Sequence, residues 1–150
     1  MLRIIADSTC DISKEDARKM GIQIVPISVR FGNEEFLDGV EITHEEFYTR
    51  LAECDELPKT SQPSPDTFMK VFNEAVAAGD DVLGIFISSD LSGTYQSACL
   101  AALDVEEETG KKLYMVDSRS ASIGTALLIR EAVKLRDAGV RTELVSVAEG

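Results

Sequence analysis

The architecture of this chain is set by the apolar run Val82-Leu83-Gly84-Ile85-Phe86-Ile87. A run that is apolar on both faces is typical of a strand buried inside a parallel sheet. It leads directly into the hydroxyl-rich segment Ser88-Ser89-Asp90-Leu91-Ser92-Gly93-Thr94, and we predict a helix from about Ser92. Strand, loop and helix N-terminus is the order in which open α/β sheets build their ligand sites.

Strands and helices alternate on both sides of this run. Further strands are predicted at Leu2–Ala6, Ile22–Ser28 and Leu113–Val116. Pro26 predicts an edge position or a bulge for its strand, and a hairpin is predicted to turn at Gly32-Asn33. The pattern predicts an α/β fold, with a mostly parallel sheet covered by helices on both faces and a strand-loop-helix ligand site.

Length and composition narrow the class of protein. The chain has 150 residues, of which 44% are hydrophobic, so we expect residues 1–150 to form a single α/β domain with a real core. We expect no membrane span, since no apolar run approaches the roughly 20 residues that one needs. We expect no signal peptide either, because an acidic residue follows too few apolar residues at the start of the chain. A cytoplasmic protein is therefore expected.

Charge and cysteine content exclude other classes. The net charge of −12 argues against nucleic acid as a partner, because nucleic-acid binding demands a basic face. The chain has three cysteines, Cys10, Cys54 and Cys99, at wide spacing. This pattern argues against a disulfide framework and a paired-cysteine zinc site, and predicts that each is a small buried hydrophobe.

Two segments present hydroxyl groups beside the N–H groups that a helix start leaves unpaired. The first is Thr60-Ser61-Gln62-Pro63-Ser64-Pro65, predicted as a loop that ends in a helix cap at Ser64, and Gln62 could complete a polar site through its amide. In the second, Ser92, Gly93 and Thr94 form a candidate anion cup. Each segment also has a plainer interpretation, as a rigid connector or a simple helix cap.

Acidic residues and the single histidine offer little for catalysis. Asp7, Asp11 and Asp117 lie at or just after predicted strand ends, where they could bind magnesium or, more commonly, brace the loops. His44 lies at an acidic helix start with no nucleophile motif around it. We therefore expect no catalytic residue, no metal site and no cofactor; the hydroxyl segments look suited to binding.

Four segments, taken together, resemble the DegV family of bacterial fatty-acid-binding proteins. These are Asp7-Ser8-Thr9-Cys10-Asp11, Thr60-Ser61-Gln62-Pro63-Ser64-Pro65, Ser88 to Ala98, and Val116-Asp117-Ser118 with Ser122-Ile123-Gly124. The resemblance implies a carrier that presents a bound long-chain fatty acid to a fatty acid kinase. By position, Thr60 and Ser92 would bind the carboxylate, and Ser61, Gly93 and Thr94 would complete the cup.

The resemblance covers only the first of two lobes, about half of a usual family member. We therefore expect the second lobe to be absent from this chain, and with it one wall of the tunnel for the acyl tail. The alternative from another class is a phosphate-binding or phosphotransfer enzyme domain that uses the same hydroxyl loops. Such domains tend to depend on a reactive histidine, which neither loop contains.

Overall fold

Two sheets and five helices make up the described part of the computed structural model, which comprises residues 2–10, 12–31, 34–37, 44–53, 59–120 and 123–140. The strands are β1 (Leu2–Asp7), β2 (Ile22–Val25), β3 (Ser28–Phe31), β4 (Glu34–Leu37), β5 (Lys59–Ser61), β6 (Asp81–Phe86) and β7 (Tyr114–Asp117). The helices are α1 (Lys14–Met20), α2 (His44–Glu53), α3 (Pro65–Ala77), α4 (Thr94–Thr109) and α5 (Ile123–Asp137).

The larger sheet is parallel and has the order β2-β1-β6-β7. The strand predicted from the apolar run is β6, and it lies between β1 and β7 with both neighbours parallel to it. Its central position is confirmed. The carboxyl ends of β1, β6 and β7 therefore meet along one edge of the sheet, where open α/β sheets place their ligands.

Helices cover both faces of this sheet, as predicted. On one face, Leu83 and Ile85 of β6 pack in a core cluster with residues of α1 and α5. On the other face, Val82 and Phe86 pack with residues of α3 and α4. All four side chains are fully buried. Successive side chains of a strand point to opposite faces, so a strand that is covered on both faces is apolar at odd and even positions alike.

The helix ends follow the capping residues. The Ser13 hydroxyl accepts the Asp16 N–H at the start of α1, and Gly21 ends that helix with φ 69°. The Ser64 hydroxyl accepts the Thr67 N–H at the start of α3, where Pro65 fills the first position. The cap predicted at Ser64 is confirmed. None of the helices in the described part of the chain has the length and apolar character needed to cross a membrane.

The second strand is shorter than predicted. It ends at Val25 rather than Ser28, because Pro26 has no N–H to offer a ladder and the Ile27 N–H donates instead to the Ser8 hydroxyl at 2.9 Å. The strand does lie at the edge of the parallel sheet, as Pro26 indicated. The chain then leaves that sheet and starts another.

The second sheet is antiparallel and has the order β4-β3-β5. Pairing of β3 with β4 confirms the predicted hairpin, although its turn at Gly32-Asn33 lies outside the described residues. The third strand was not predicted. Thr60 pairs with Val29 and Ser61 with Ser28, so the prediction of a loop at Thr60-Ser61 is wrong, and the loop begins at Gln62.

A pair of leucine substitutions tests this layered core. Leu83 is fully buried in β6, whereas Leu103 on α4 is 63% exposed. We expect Leu83→Ala to lower the free energy of unfolding by about 2–5 kcal/mol, from lost burial and the cavity left behind. The same change at Leu103 should stay within about 0.5 kcal/mol. Urea unfolding followed by circular dichroism measures both, and equal losses would contradict the assigned layers.

Candidate functional site

Asp7 joins the ends of the two central strands of the parallel sheet. Its buried side chain accepts the Thr9 N–H at 2.8 Å and the Thr9 hydroxyl through one oxygen. Its other oxygen accepts the Ile87 N–H, just past β6, at 2.9 Å. Both oxygens are thus bonded within the protein, so Asp7 braces the loops. Asp11, the second candidate carboxylate, lies outside the described residues.

Asp117 does the same at the end of β7. Its carboxylate accepts the Ser89 hydroxyl at 2.6 Å and the Arg119 N–H at 2.9 Å. Burial alone would raise the pKa of Asp117, but these bonds, with a further one from the Ser89 N–H, hold it below its usual value. Arg119 itself has a positive φ of 55°, a conformation that the bond to Asp117 helps to hold.

Most hydroxyls of the segment 88–97 are used to hold the loop in shape. Ser88 accepts the Asp90 N–H, Ser89 donates to Asp117, and the buried Ser97 donates to the Pro63 carbonyl at 2.7 Å. The backbone of Ser88 also donates to Ser120 at 2.9 Å. These hydroxyls are therefore structural, although the sequence alone did not separate them from the candidate ligands.

Ser92 and Thr94 are bonded mainly to each other. Their hydroxyl oxygens lie 2.9 Å apart, and the Ser92 hydroxyl also accepts the Thr94 N–H at 3.2 Å. Two hydroxyls carry two donor hydrogens, and their mutual bond uses one of them. The other has no acceptor in the described part of the chain, although Thr94 is fully buried. This pair can therefore still donate one hydrogen bond to a ligand.

The helix that begins beside this pair lacks a side-chain cap. The N-cap residue of α4 is Gly93, with φ −80° and ψ 5°, which has no side chain to cap the helix. In the described structure the Thr94 N–H is the one first-turn N–H bonded to a side chain, the Ser92 hydroxyl. The first backbone bond across this end runs from the Ser97 N–H to the Gly93 carbonyl. In the described structure the N–H groups of Tyr95 and Gln96 are thus left for solvent or a ligand, which is the arrangement that binds anions.

The first hydroxyl segment reaches this helix start through Gln62 and Pro63. The bond from Ser97 to the Pro63 carbonyl fixes the backbone there. The Gln62 amide lies so close to Gly93 that a Cβ at position 93 would be 2.8 Å from its nitrogen. The structure therefore brings the two predicted segments together at Gly93, through Gln62.

Thr60 and Ser61 lie just before that contact, in β5. Ser61 is exposed, and the Thr60 side chain lies outside the described part of the structure, as does the side chain of His44. A role for Thr60 and Ser61 at the head group stays a prediction. Their strand was missed because its partner, β3, is about thirty residues away and no local pattern indicates the pairing.

The ionisable groups beside the site are poor nucleophiles. Burial, followed by a hydrogen bond to Cys99, raises the pKa of Tyr95 to about 12. Burial likewise raises the pKa of the half-buried Cys99 thiol, so both groups stay protonated at neutral pH. Of the three cysteines predicted to be buried, Cys10 is buried, Cys99 is only half-buried, and Cys54 lies outside the described residues. Among the residues that the structure describes, no three His, Cys, Asp or Glu are grouped to hold a metal ion.

Comparison with known proteins identifies one family. A family model described as an uncharacterised protein of the DegV family matches residues 1–148. A DegV domain-containing protein of Clostridium perfringens is 40% identical over 142 residues, which is 95% of this chain and 50% of that protein. This chain thus spans about half the length of the curated relatives that it matches.

Solved structures agree with this match. A stearic acid-binding protein from Eubacterium ventriosum superposes with a TM-score of 0.90 and 37% identity, over 97% of this chain and 50% of that one. The fatty acid kinase B3 protein of Streptococcus pneumoniae, loaded with linoleic acid, gives a TM-score of 0.83 and 26% identity, over 99% of this chain and 52% of that one. The layered α/β architecture described above is common to all of them.

The pKa of Asp117 tests the bonds that hold the loop. In the folded protein, the carboxyl ¹³C titration of Asp117 should have its midpoint below the value in the unfolded chain. Ser89→Ala removes the hydroxyl bond and should move the midpoint up, because the charged form loses a donor. The lowered pKa means that Asp117 contributes stability above its unfolded pKa, and that this contribution is lost as pH falls through the folded pKa.

Ser120→Ala is the matched control, since the Ser120 hydroxyl makes no bond to Asp117 in the described structure. Its Asp117 midpoint should equal that of the unsubstituted protein. A midpoint that moves equally in both variants would show that loop packing, rather than the Ser89 bond, sets the titration.

Proposed function

Because the chain belongs to the DegV family, we propose that it binds a long-chain fatty acid and acts as a cytosolic carrier, not as an enzyme. In this proposal Thr60, Ser61, Ser92, Gly93 and Thr94 hold the carboxylate, which the carrier presents to a fatty acid kinase. One relative of solved structure is described as a stearic acid-binding protein, and another, described as a fatty acid kinase protein, is loaded with linoleic acid.

One observation carries the proposal for this chain: the spare hydroxyl donor of Ser92 and Thr94 stands at the uncapped N-terminus of α4. A carboxylate accepts hydrogen bonds and carries negative charge, and this place offers both donors and the positive end of a helix dipole. The net charge of −12 does not oppose this. Exposed charges more than a Debye length of about 8 Å from the carboxylate are largely screened, so the donors next to it decide its binding.

The chemistry of the site favours a carrier over an enzyme. Asp7 and Asp117 accept hydrogen bonds from the loops, so neither is free to act as a general base. Tyr95 and Cys99 stay protonated. The site therefore provides binding groups, and the phosphoryl transfer is left to a partner enzyme.

The direct test is a titration of the purified chain with carboxyl-¹³C oleate, observed by NMR. We expect the oleate carboxyl signal to shift on binding, and unlabelled stearate to compete with it. Inorganic phosphate is the second probe, because a bare helix N-terminus also suits a phosphate-binding enzyme. Displacement of oleate by phosphate at equal concentration, or binding of phosphate alone, would favour that alternative.

Removal of single hydroxyls should weaken oleate binding. Ser92→Ala and Thr60→Ala each delete one hydrogen bond to a charged group, worth about 1.5–3 kcal/mol, so the affinity should fall about tenfold to a hundredfold. Ser64→Ala is the matched control. Its hydroxyl caps α3, so it should cost about 1 kcal/mol of stability and leave binding unchanged. Unchanged affinity in both site variants would remove these residues from the site.

A further inference from the structure

The Gln62 side chain lies directly over the start of α4. A Cβ built at Gly93 would lie 2.8 Å from the Gln62 Nε2, 3.1 Å from its Cδ and 3.4 Å from its Oε1. The whole carboxamide group therefore faces the N-cap residue, with its nitrogen nearest. The residue is exposed, so this placement is not forced by packing in the core.

This contact explains the glycine at position 93. Gly93 has φ −80°, which every L-residue adopts readily, so its backbone conformation does not require glycine. The three atoms nearest to a Cβ at this position all belong to the Gln62 amide, so this amide is what a side chain here would meet. The backbone that carries Gln62 is also held in place, because the next residue, Pro63, accepts the buried Ser97 hydroxyl bond.

The Gln62 amide has no hydrogen-bond partner in the described part of the structure. An amide offers two N–H donors and one acceptor oxygen. Its neighbours at the helix start are donors too: the spare hydroxyl hydrogen of Ser92 and Thr94, and the N–H groups of Tyr95 and Gln96 in the first turn of α4. Donors of three kinds converge here, and the Gln62 nitrogen lies nearer to a Cβ at Gly93 than the amide oxygen does. The place therefore suits a group that only accepts, such as an ionised carboxylate.

We propose that Gln62 is a specificity-determining residue, which donates its amide N–H to the bound carboxylate and selects an ionised acid over a neutral head group. This rests on the proposed fatty-acid-binding function and assigns one further residue to it. A neutral donor suits this position, because it bonds to the carboxylate without an ion pair that would hold the head group against later transfer. Gly93 is then the residue that leaves room for the amide.

The first experiment changes only the charge of the side chain. Gln62→Glu keeps the shape and replaces the amide by a carboxylate, and the ligands are oleate and oleyl alcohol, which share a tail. We expect the affinity for oleate to fall by at least about tenfold, since a donor is lost and a like charge is added. The affinity for oleyl alcohol should stay within about twofold of the unsubstituted protein, because a neutral head group feels no such repulsion.

Gln23→Glu is the matched control, with the same charge change on β2, where Gln23 pairs with Ile5 in mid-strand. It should leave the affinity for both ligands unchanged. Equal weakening of oleate and oleyl alcohol by Gln62→Glu would show that Gln62 only shapes the loop, and would overturn the proposal.

The second experiment tests the pairing of Gln62 with Gly93. Gly93→Ala should displace the flexible amide and lower oleate affinity to that of Gln62→Ala, without loss of fold. In the double variant the two effects should not add, because each removes the same contact. Additive losses of oleate affinity would mean that Gly93 affects ligand binding independently of Gln62.

These outcomes separate the two proposals. If the unsubstituted chain binds no oleate, the proposed function fails, and the role of Gln62 fails with it. If the unsubstituted chain binds oleate and both Gln62→Glu and Gln62→Ala bind it equally well, the proposed function stands and the role of Gln62 is wrong.

Discussion

A buried carboxylate, that of Asp7, fixes the edge of the sheet on which the site is built. It bonds to Thr9 in its own loop and to Ile87 in the loop after β6, eighty residues later. A buried carboxyl group must have its oxygens bonded, so the two loops keep one relative position. Asp117, at the end of β7, likewise accepts a hydrogen bond from Ser89 in the loop after β6. These bonds hold the loop that leads to the start of α4 at Gly93.

The hydroxyl groups of the site divide into two kinds once their partners are known. Ser89 and Ser97 are bonded to fixed groups of the protein and hold the loop. Ser92 and Thr94 bond to each other and leave one donor over. In the proposed carrier this division lets the loop keep its shape whether or not a ligand is bound.

Local patterns predicted the layers and the helix ends, because these depend on residues close in sequence. An apolar run predicts a central strand, and Ser13, Ser64 and Gly21 act within one turn of the helices they limit. The strand at Thr60 and the contact of Gln62 with Gly93 depend on residues about thirty positions away. Nothing local in the sequence indicates either of them.

The uncapped start of α4 links occupancy to stability. Its other end is unfavourable as well: the last two turns carry Asp104, Glu106, Glu107 and Glu108 and no basic residue, which the helix dipole opposes. An anion at the N-terminus of α4 would accept hydrogen bonds from the unbonded N–H groups, and its negative charge would face the positive end of the helix dipole. Any ligand that binds only the folded state raises the free energy of unfolding. Amide hydrogen exchange in the first turn of α4 should therefore report, in the proposed carrier, whether this site is occupied.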